Sequence, residues 1–189
     1  MNEFDIVIPG FQAFYVSREE SNCPLLPEIV KTGKKLKDLG ILENIETTSI
    51  SMKYGKRVLM NAKNTDIRDI IRKDFLEIVD YDPVKKVILT MGPKEPRLES
   101  SIHWFIHHAR EEVNAVIMIN DVDLSEKFSK KLPVTEKEYS IITLEQIKEI
   151  LKILRNSKKL VIKNKGVLFV GNSMGEAEKL VIDTFEEFK

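Results

Sequence analysis

Between Lys85 and Asp123 the apolar period changes twice, and that change limits the chain to folds in which a helix lies across a sheet. Val87-Ile88-Leu89-Thr90 is a strand-sized apolar run. Gly92-Pro93-Lys94-Glu95-Pro96-Arg97 then interrupts regular structure, because proline lacks an N–H and glycine admits turns. From Glu99 onward Ile102, Phe105, Ile106, Ala109 and Val113 recur along one stripe of a helix. Ala115-Val116-Ile117-Met118-Ile119 is a second, buried strand, and Asn120-Asp121-Val122-Asp123 carries it to a polar end.

The remaining chain repeats this alternation. Phe4-Asp5-Ile6-Val7-Ile8 reads as a strand, followed by Pro9-Gly10 and an apolar piece around Phe11 to Val16. Pro27 suits a first helical turn, the stripe Ile29, Val30, Gly33, Leu36 and Leu39 follows, and Gly40 can end that helix in the left-handed conformation. Ser49–Met52 and Arg57–Met60 flank Lys53-Tyr54-Gly55-Lys56, a hairpin by composition. Asp66–Arg72 is expected to be a short helix through Ile67, Ile70 and Ile71, and Phe75–Tyr81 a strand. Thr143 with Gln146 and Ser173 with Glu176 open two further helices as capping pairs. Between them Leu160–Ile162 and Val167–Val170 are strands joined through Lys163-Asn164-Lys165-Gly166.

At 189 residues the chain can bury one core, and a single domain over 1–189 is expected. The 30 basic and 30 acidic residues cancel, so no net field favours nucleic acid or a membrane surface. The apolar runs are strand-sized, too short to span a bilayer. Cys23 is the single cysteine, which precludes a disulfide framework and points to a reducing, cytoplasmic location.

The order of landmarks resembles the class II aldolase/adducin family. There a Pro-Ser-Ser-Glu segment opens a helix with a histidine four residues after the glutamate, and the following strand ends in His-x-His. Here Pro96-Arg97-Leu98-Glu99 precedes His103, and the strand histidines fall on Met118 and Asn120. The family's Asn-His-Gly, apolar strand, Gly and Glu-Ala ending is matched by Asn164-Lys165-Gly166, Val167–Val170, Gly171 and Glu176-Ala177, with Lys165 in place of the third histidine. The resemblance covers Pro27 to the C-terminus and leaves residues 1–22 as an extension outside the family pattern. It implies a three-layer αβα sandwich around a mixed, largely antiparallel sheet, and a homo-oligomer, of which a tetramer is one form.

In active members three histidines hold a divalent metal, usually zinc, which polarises a substrate carbonyl while the glutamate moves a proton. Zinc takes nitrogen, thiolate or carboxylate ligands. Met118, Asn120 and Lys165 offer a thioether, an amide and an ammonium, so the resemblance implies a relative that has lost metal-dependent aldolase activity, needs no cofactor, and serves as a binding or assembly module. The alternative is a lyase or isomerase acting on a small phosphorylated sugar or hydroxy-acid through Glu99 and a rebuilt site. In that site Lys165 occupies the vacated metal position and pairs with Glu99. Lys63, Arg97 and Asn120 are the further candidate ligand contacts, because the family's phosphate loops fall on Lys63-Asn64 and Arg97-Leu98. A displaced zinc site would draw on His103, Asp121 or Asp123. His103 and His107 otherwise read as helix-surface or interface side chains. An amine in such a pocket also admits Schiff-base chemistry, which requires a desolvated lysine, and no feature of the sequence shows desolvation.

Overall fold

The computed structural model describes residues 10–42 and 47–189; the strand expected over Phe4–Ile8, with Pro9, lies outside the described residues. The elements in chain order are β1 (Gln12–Ser17), α1 (Leu26–Asp38), β2 (Thr48–Tyr54), β3 (Arg57–Asn61), β4 (Phe75–Asp82) and β5 (Val87–Met91). They continue with α2 (Ser100–Ala109), β6 (Ala115–Ile119), α3 (Val122–Phe128), α4 (Leu144–Ile153), β7 (Lys159–Ile162), β8 (Gly166–Gly171) and α5 (Met174–Glu187).

Among the described residues the strands form one eight-stranded sheet in the order β1-β5-β4-β3-β2-β6-β8-β7. β1 pairs with β5 in parallel, and the other named pairings are antiparallel. The apolar segment around Phe11 to Val16 therefore becomes an edge strand. Strand periodicity sends alternate side chains to opposite faces, and β6 shows the result. Ala115, Ile117 and Ile119 join Ile29, Leu36, Phe128, Ala177 and Val181 in a core beneath α1, α3 and α5. Val116 and Met118 join Ile102, Ile106, Ile147 and Ile150 in a core beneath α2 and α4. Helices thus cover both faces, the three-layer αβα arrangement expected.

The capping pairs form as the sequence indicates. Thr143 Oγ1 accepts from Gln146 N at 3.1 Å and Ser173 Oγ accepts from Glu176 N at 3.1 Å. Gly40, with φ +67, ends α1 in the conformation that favours glycine.

Two expectations are corrected. Asp66–Arg72 is not a helix. The Asp66 carboxylate accepts from Arg68 N at 2.9 Å and from the Arg68 guanidinium, which holds the segment in turns until a single 3-10 turn at Arg72–Asp74. Side-chain capture of nearby backbone donors competes with helix formation. Conversely, the polar end of β6 opens a helix: Asp121 accepts from Leu124 N at 2.9 Å and caps α3.

Candidate functional site

The face of β6 that carries Val116 and Met118 brings Asn120 to the end of the strand beside the first turn of α2. Asn120 Nδ2 donates to Glu99 Oε1 at 2.6 Å, and Arg97 Nε lies 3.5 Å from Glu99 Oε2. Arg97 and Glu99 side chains are 7% and 13% exposed, a nearly dry ion pair in which each charge requires the other. Asn120 Oδ1 is buried without a hydrogen-bond partner among the described residues.

Lys165 reaches the same place from the β7–β8 hairpin. Its N–H donates to Ile162 O at 2.9 Å, with Asn164 in the left-handed region at φ +53. Gly166 is required next: a Cβ there would sit 2.1 Å from Ile119 O and 2.8 Å from Asn120 Cα. The missing side chain lets the hairpin press against the end of β6, which sets Lys165 beside Glu99. Lys165 is partly buried, and the ion pair with Glu99 expected from the sequence does not form: Asn120 and Arg97 hold that carboxylate, and among the described residues no hydrogen-bond or ion-pair acceptor holds the Lys165 ammonium. Burial pushes its pKa below the usual lysine value, opposed by the Glu99 charge. Glu99 and Lys165 both line a cavity of about 360 Å³ closed by the N-terminal arm (Phe11), the β4–β5 turn (Lys86) and the segment leading into α4 (Ile142, Thr143).

The three positions that the resemblance aligns with metal ligands fall within β6 (Met118), just past its end (Asn120) and just before the adjoining β8 (Lys165), and their donor set does not fit zinc. Met118 is fully buried, opposite Leu168 in the β6–β8 ladder and packed in the α2–α4 core. Asn120 is engaged with Glu99, and Lys165 carries a charge of the wrong sign. The displaced set does not assemble either. His103 is on α2 with its ring buried against β2, Asp121 caps α3, and Asp123 is exposed in the first turn of α3. Among the described residues no group of three or more His, Cys, Asp and Glu side chains is placed to hold a metal ion.

His103 and His107 depart from the surface or interface reading, since they are 0% and 1% exposed. Their partners are on β2. Ser49 Oγ lies 2.8 Å from His103 Nε2, Ser51 Oγ 2.6 Å from His103 Nδ1, and Ser51 Oγ 2.8 Å from His107 Nε2. His107 Nδ1 lies 3.2 Å from Val113 O. A carbonyl only accepts, so His107 carries its proton on Nδ1 and accepts from Ser51 at Nε2. Ser51 then accepts from His103 Nδ1–H, and Ser49 donates to His103 Nε2. The chain is satisfied with both rings neutral. Burial holds His103 well below the ordinary histidine range and lowers His107 to about 3. The period-two serines Ser49 and Ser51 on a buried strand were the available signal for this network.

The segments that the resemblance aligns with phosphate loops are engaged in contacts within the chain. Lys63 N donates to Glu95 O at 2.9 Å, its ammonium pairs with Glu95 at 3.4 Å on an exposed surface, and Arg97 Nη1 donates to Ala62 O at 3.4 Å. Lys63 is not among the residues lining the Lys165 cavity. Phe11, Lys86 and the 140–144 segment are contributors that the sequence alone did not mark.

Residues 27–120 match the model of the class II aldolase and adducin N-terminal domain. No curated protein sequence matches the chain. Among solved structures, an L-fuculose 1-phosphate aldolase superposes with a TM-score of 0.72 at 16% identity, covering 89% of this chain and 84% of that one. The L-fuculose-1-phosphate aldolase of Thermus thermophilus gives 0.69 at 19% identity, with 87% and 90% covered. The N-terminal class II aldolase domain of a conserved protein from Thermoplasma acidophilum gives 0.63 at 13%, with 92% and 97% covered. At these identities the superpositions establish the fold. The family-model match from α1 through β6, with which these folds agree, makes this chain a member of the class II aldolase/adducin family.

Proposed function

We propose that this chain is a binding domain for a small anionic hydroxy compound, a sugar phosphate or a hydroxy-acid, and that it has lost the metal-dependent aldol reaction of its relatives. One observation supports the reading: Asn120 donates to Glu99, Lys165 lies within electrostatic reach of that carboxylate, and Glu99 and Lys165 line a cavity of about 360 Å³. Arg97 already compensates the Glu99 carboxylate, so Lys165 adds a positive charge in excess. Lys86 lines the same cavity and adds another. Asn120 fixes the Glu99 carboxylate through its Nδ2 hydrogen bond. The volume falls at the small end of ligand sites.

Calorimetric titration of chelator-treated protein with glycerol 3-phosphate and with glycerate tests this. One-to-one binding without added metal is expected; heats indistinguishable from dilution for both compounds contradict it.

A second reading, a lyase or isomerase using Glu99 as the proton carrier, is favoured by the Glu99 carboxylate lining the cavity. It predicts exchange of a carbon-bound proton of dihydroxyacetone phosphate in heavy water, abolished by Glu99→Gln. We further propose assembly as a homo-oligomer, because Leu98, Ile141 and Leu144 leave an apolar rim, 42–50% exposed, around the cavity mouth.

A further inference from the structure

We propose that Lys165 is a carbonyl-capturing amine, whose Nζ condenses with the aldehyde or ketone group of a small anionic hydroxycarbonyl compound to form an imine. The inference deepens the binding reading above and rests on it.

Lysines of this chain are mostly occupied or solvated: Lys35, Lys37, Lys94, Lys158 and Lys179 each pair with a carboxylate. Lys165 differs in three respects. Its backbone is fixed by the hairpin turn and by the close approach of Gly166 to Ile119. Its side chain lines a cavity with Phe11, Leu98, Ile142 and Ile147, apolar surface that limits water around the amine. No hydrogen bond or ion pair among the described residues ties down its nitrogen. Desolvation also favours the neutral amine, the nucleophilic form. The charged or titratable groups of the surrounding elements are Glu99 on the turn before α2, Arg97 behind it, and Lys86 and Tyr81 at the β4–β5 hairpin.

The condensation needs no oxidant or metal. Glu99 accepts one proton from the ammonium, and the freed nitrogen pair forms the bond to the carbonyl carbon as the C=O π pair moves to oxygen. That oxygen takes the proton from Glu99, giving a carbinolamine. A second proton from nitrogen, carried by the same carboxylate, lets the oxygen leave as water. The nitrogen pair then closes the C=N bond, and the third ammonium proton stays on nitrogen, so the product is the iminium cation. Carbonyl compound and ammonium give iminium and water.

The test is borohydride reduction of the full, chelator-treated chain mixed with dihydroxyacetone phosphate, followed by intact mass and peptide mapping. The expected product adds the ligand less one oxygen, once per chain, on Lys165. It should form at least tenfold above any other lysine and be absent from Lys165→Arg and Lys165→Met, with folding checked by circular dichroism. Parallel titration of the unmodified chain with glycerol 3-phosphate, which has no carbonyl, separates the two readings. Binding of glycerol 3-phosphate without an adduct overturns the imine alone, and the absence of both overturns the imine and the binding reading together. An adduct that persists in both variants belongs to other lysines and also overturns the proposal.

Discussion

His103 and His107 show what a single residue contributes here. Each is buried neutral, so the unfolded chain binds protons below about pH 6.5 that the folded chain refuses. Stability therefore rises with pH across that window and is lost as pH falls toward 3, the His107 value. Each histidine contributes a slope of roughly 1.4 kcal/mol per pH unit within its window. Urea denaturation between pH 4 and pH 6.5 should show this slope, and His107→Gln should reduce it by about that amount; an unchanged slope contradicts the neutral, buried assignment. Lys165 has the same sign at the other end of the scale. Its lowered pKa means that the unfolded chain holds the lysine proton to higher pH than the folded chain does. Stability then rises with pH between the folded and unfolded lysine values, while affinity for an anion falls as the amine deprotonates.

The metal frame is testable at the same scale. Met118 lies within β6, Asn120 just past its end and Lys165 just before the adjoining β8. Replacing all three with histidine should create a site that takes up about one zinc per chain, measured by metal analysis of untagged protein. Failure of a folded triple variant to bind zinc would mean that the three positions do not converge as described.

At the scale of elements, Gly166 and the helix caps separate site from scaffold. Gly166→Ala forces a Cβ against Ile119 O, and overpacking of this kind costs about 1–3 kcal/mol. It should also displace Lys165 and weaken ligand binding. Thr143→Ala and Ser173→Ala each remove an N-cap worth about 1 kcal/mol. Thr143 lines the cavity and Ser173 does not, so equal losses of stability should accompany a loss of binding only in the first. Equal effects on binding would contradict the placement of the cavity against the start of α4.

Elements whose sequence carries its own local chemistry are readable in advance. The caps at Thr143 and Ser173, the end of α1 at Gly40 and the run Ala115–Ile119 all appear where their residues indicate. The departures share one cause, a polar side chain bound to backbone. Asp66 diverts an apolar stretch from helix into turns, and Asp121 starts a helix where the sequence reads as a strand's fading end. The histidines escape a local reading because their serine partners lie on β2, a different element. Of the residues singled out by order in the sequence, Asn120 binds Glu99 directly, while Lys165 lies near that carboxylate without pairing with it, because Arg97 takes the pairing position. Phe11 and Lys86 could not be foreseen, since only the packing of β1 and the β4–β5 turn brings them to the cavity.

For the whole molecule, the sheet and both helical layers match those of solved class II aldolase folds, and the proposed site on that scaffold centres on an amine. The exposed apolar rim at Leu98, Ile141 and Leu144 should be covered in an oligomer. Light scattering should therefore read a mass that is a multiple of the 21.8 kDa chain, and Ile141→Asp should lower it. The most direct test of the central claim, an anion site built on Lys165 in place of a metal centre, is titration of wild-type and Lys165→Met protein with glycerol 3-phosphate before and after zinc addition. Binding in chelated wild type, unchanged by zinc and weakened by about tenfold or more in the variant, a loss near 1.4 kcal/mol, is the predicted result. Binding that appears only with stoichiometric zinc uptake would contradict it.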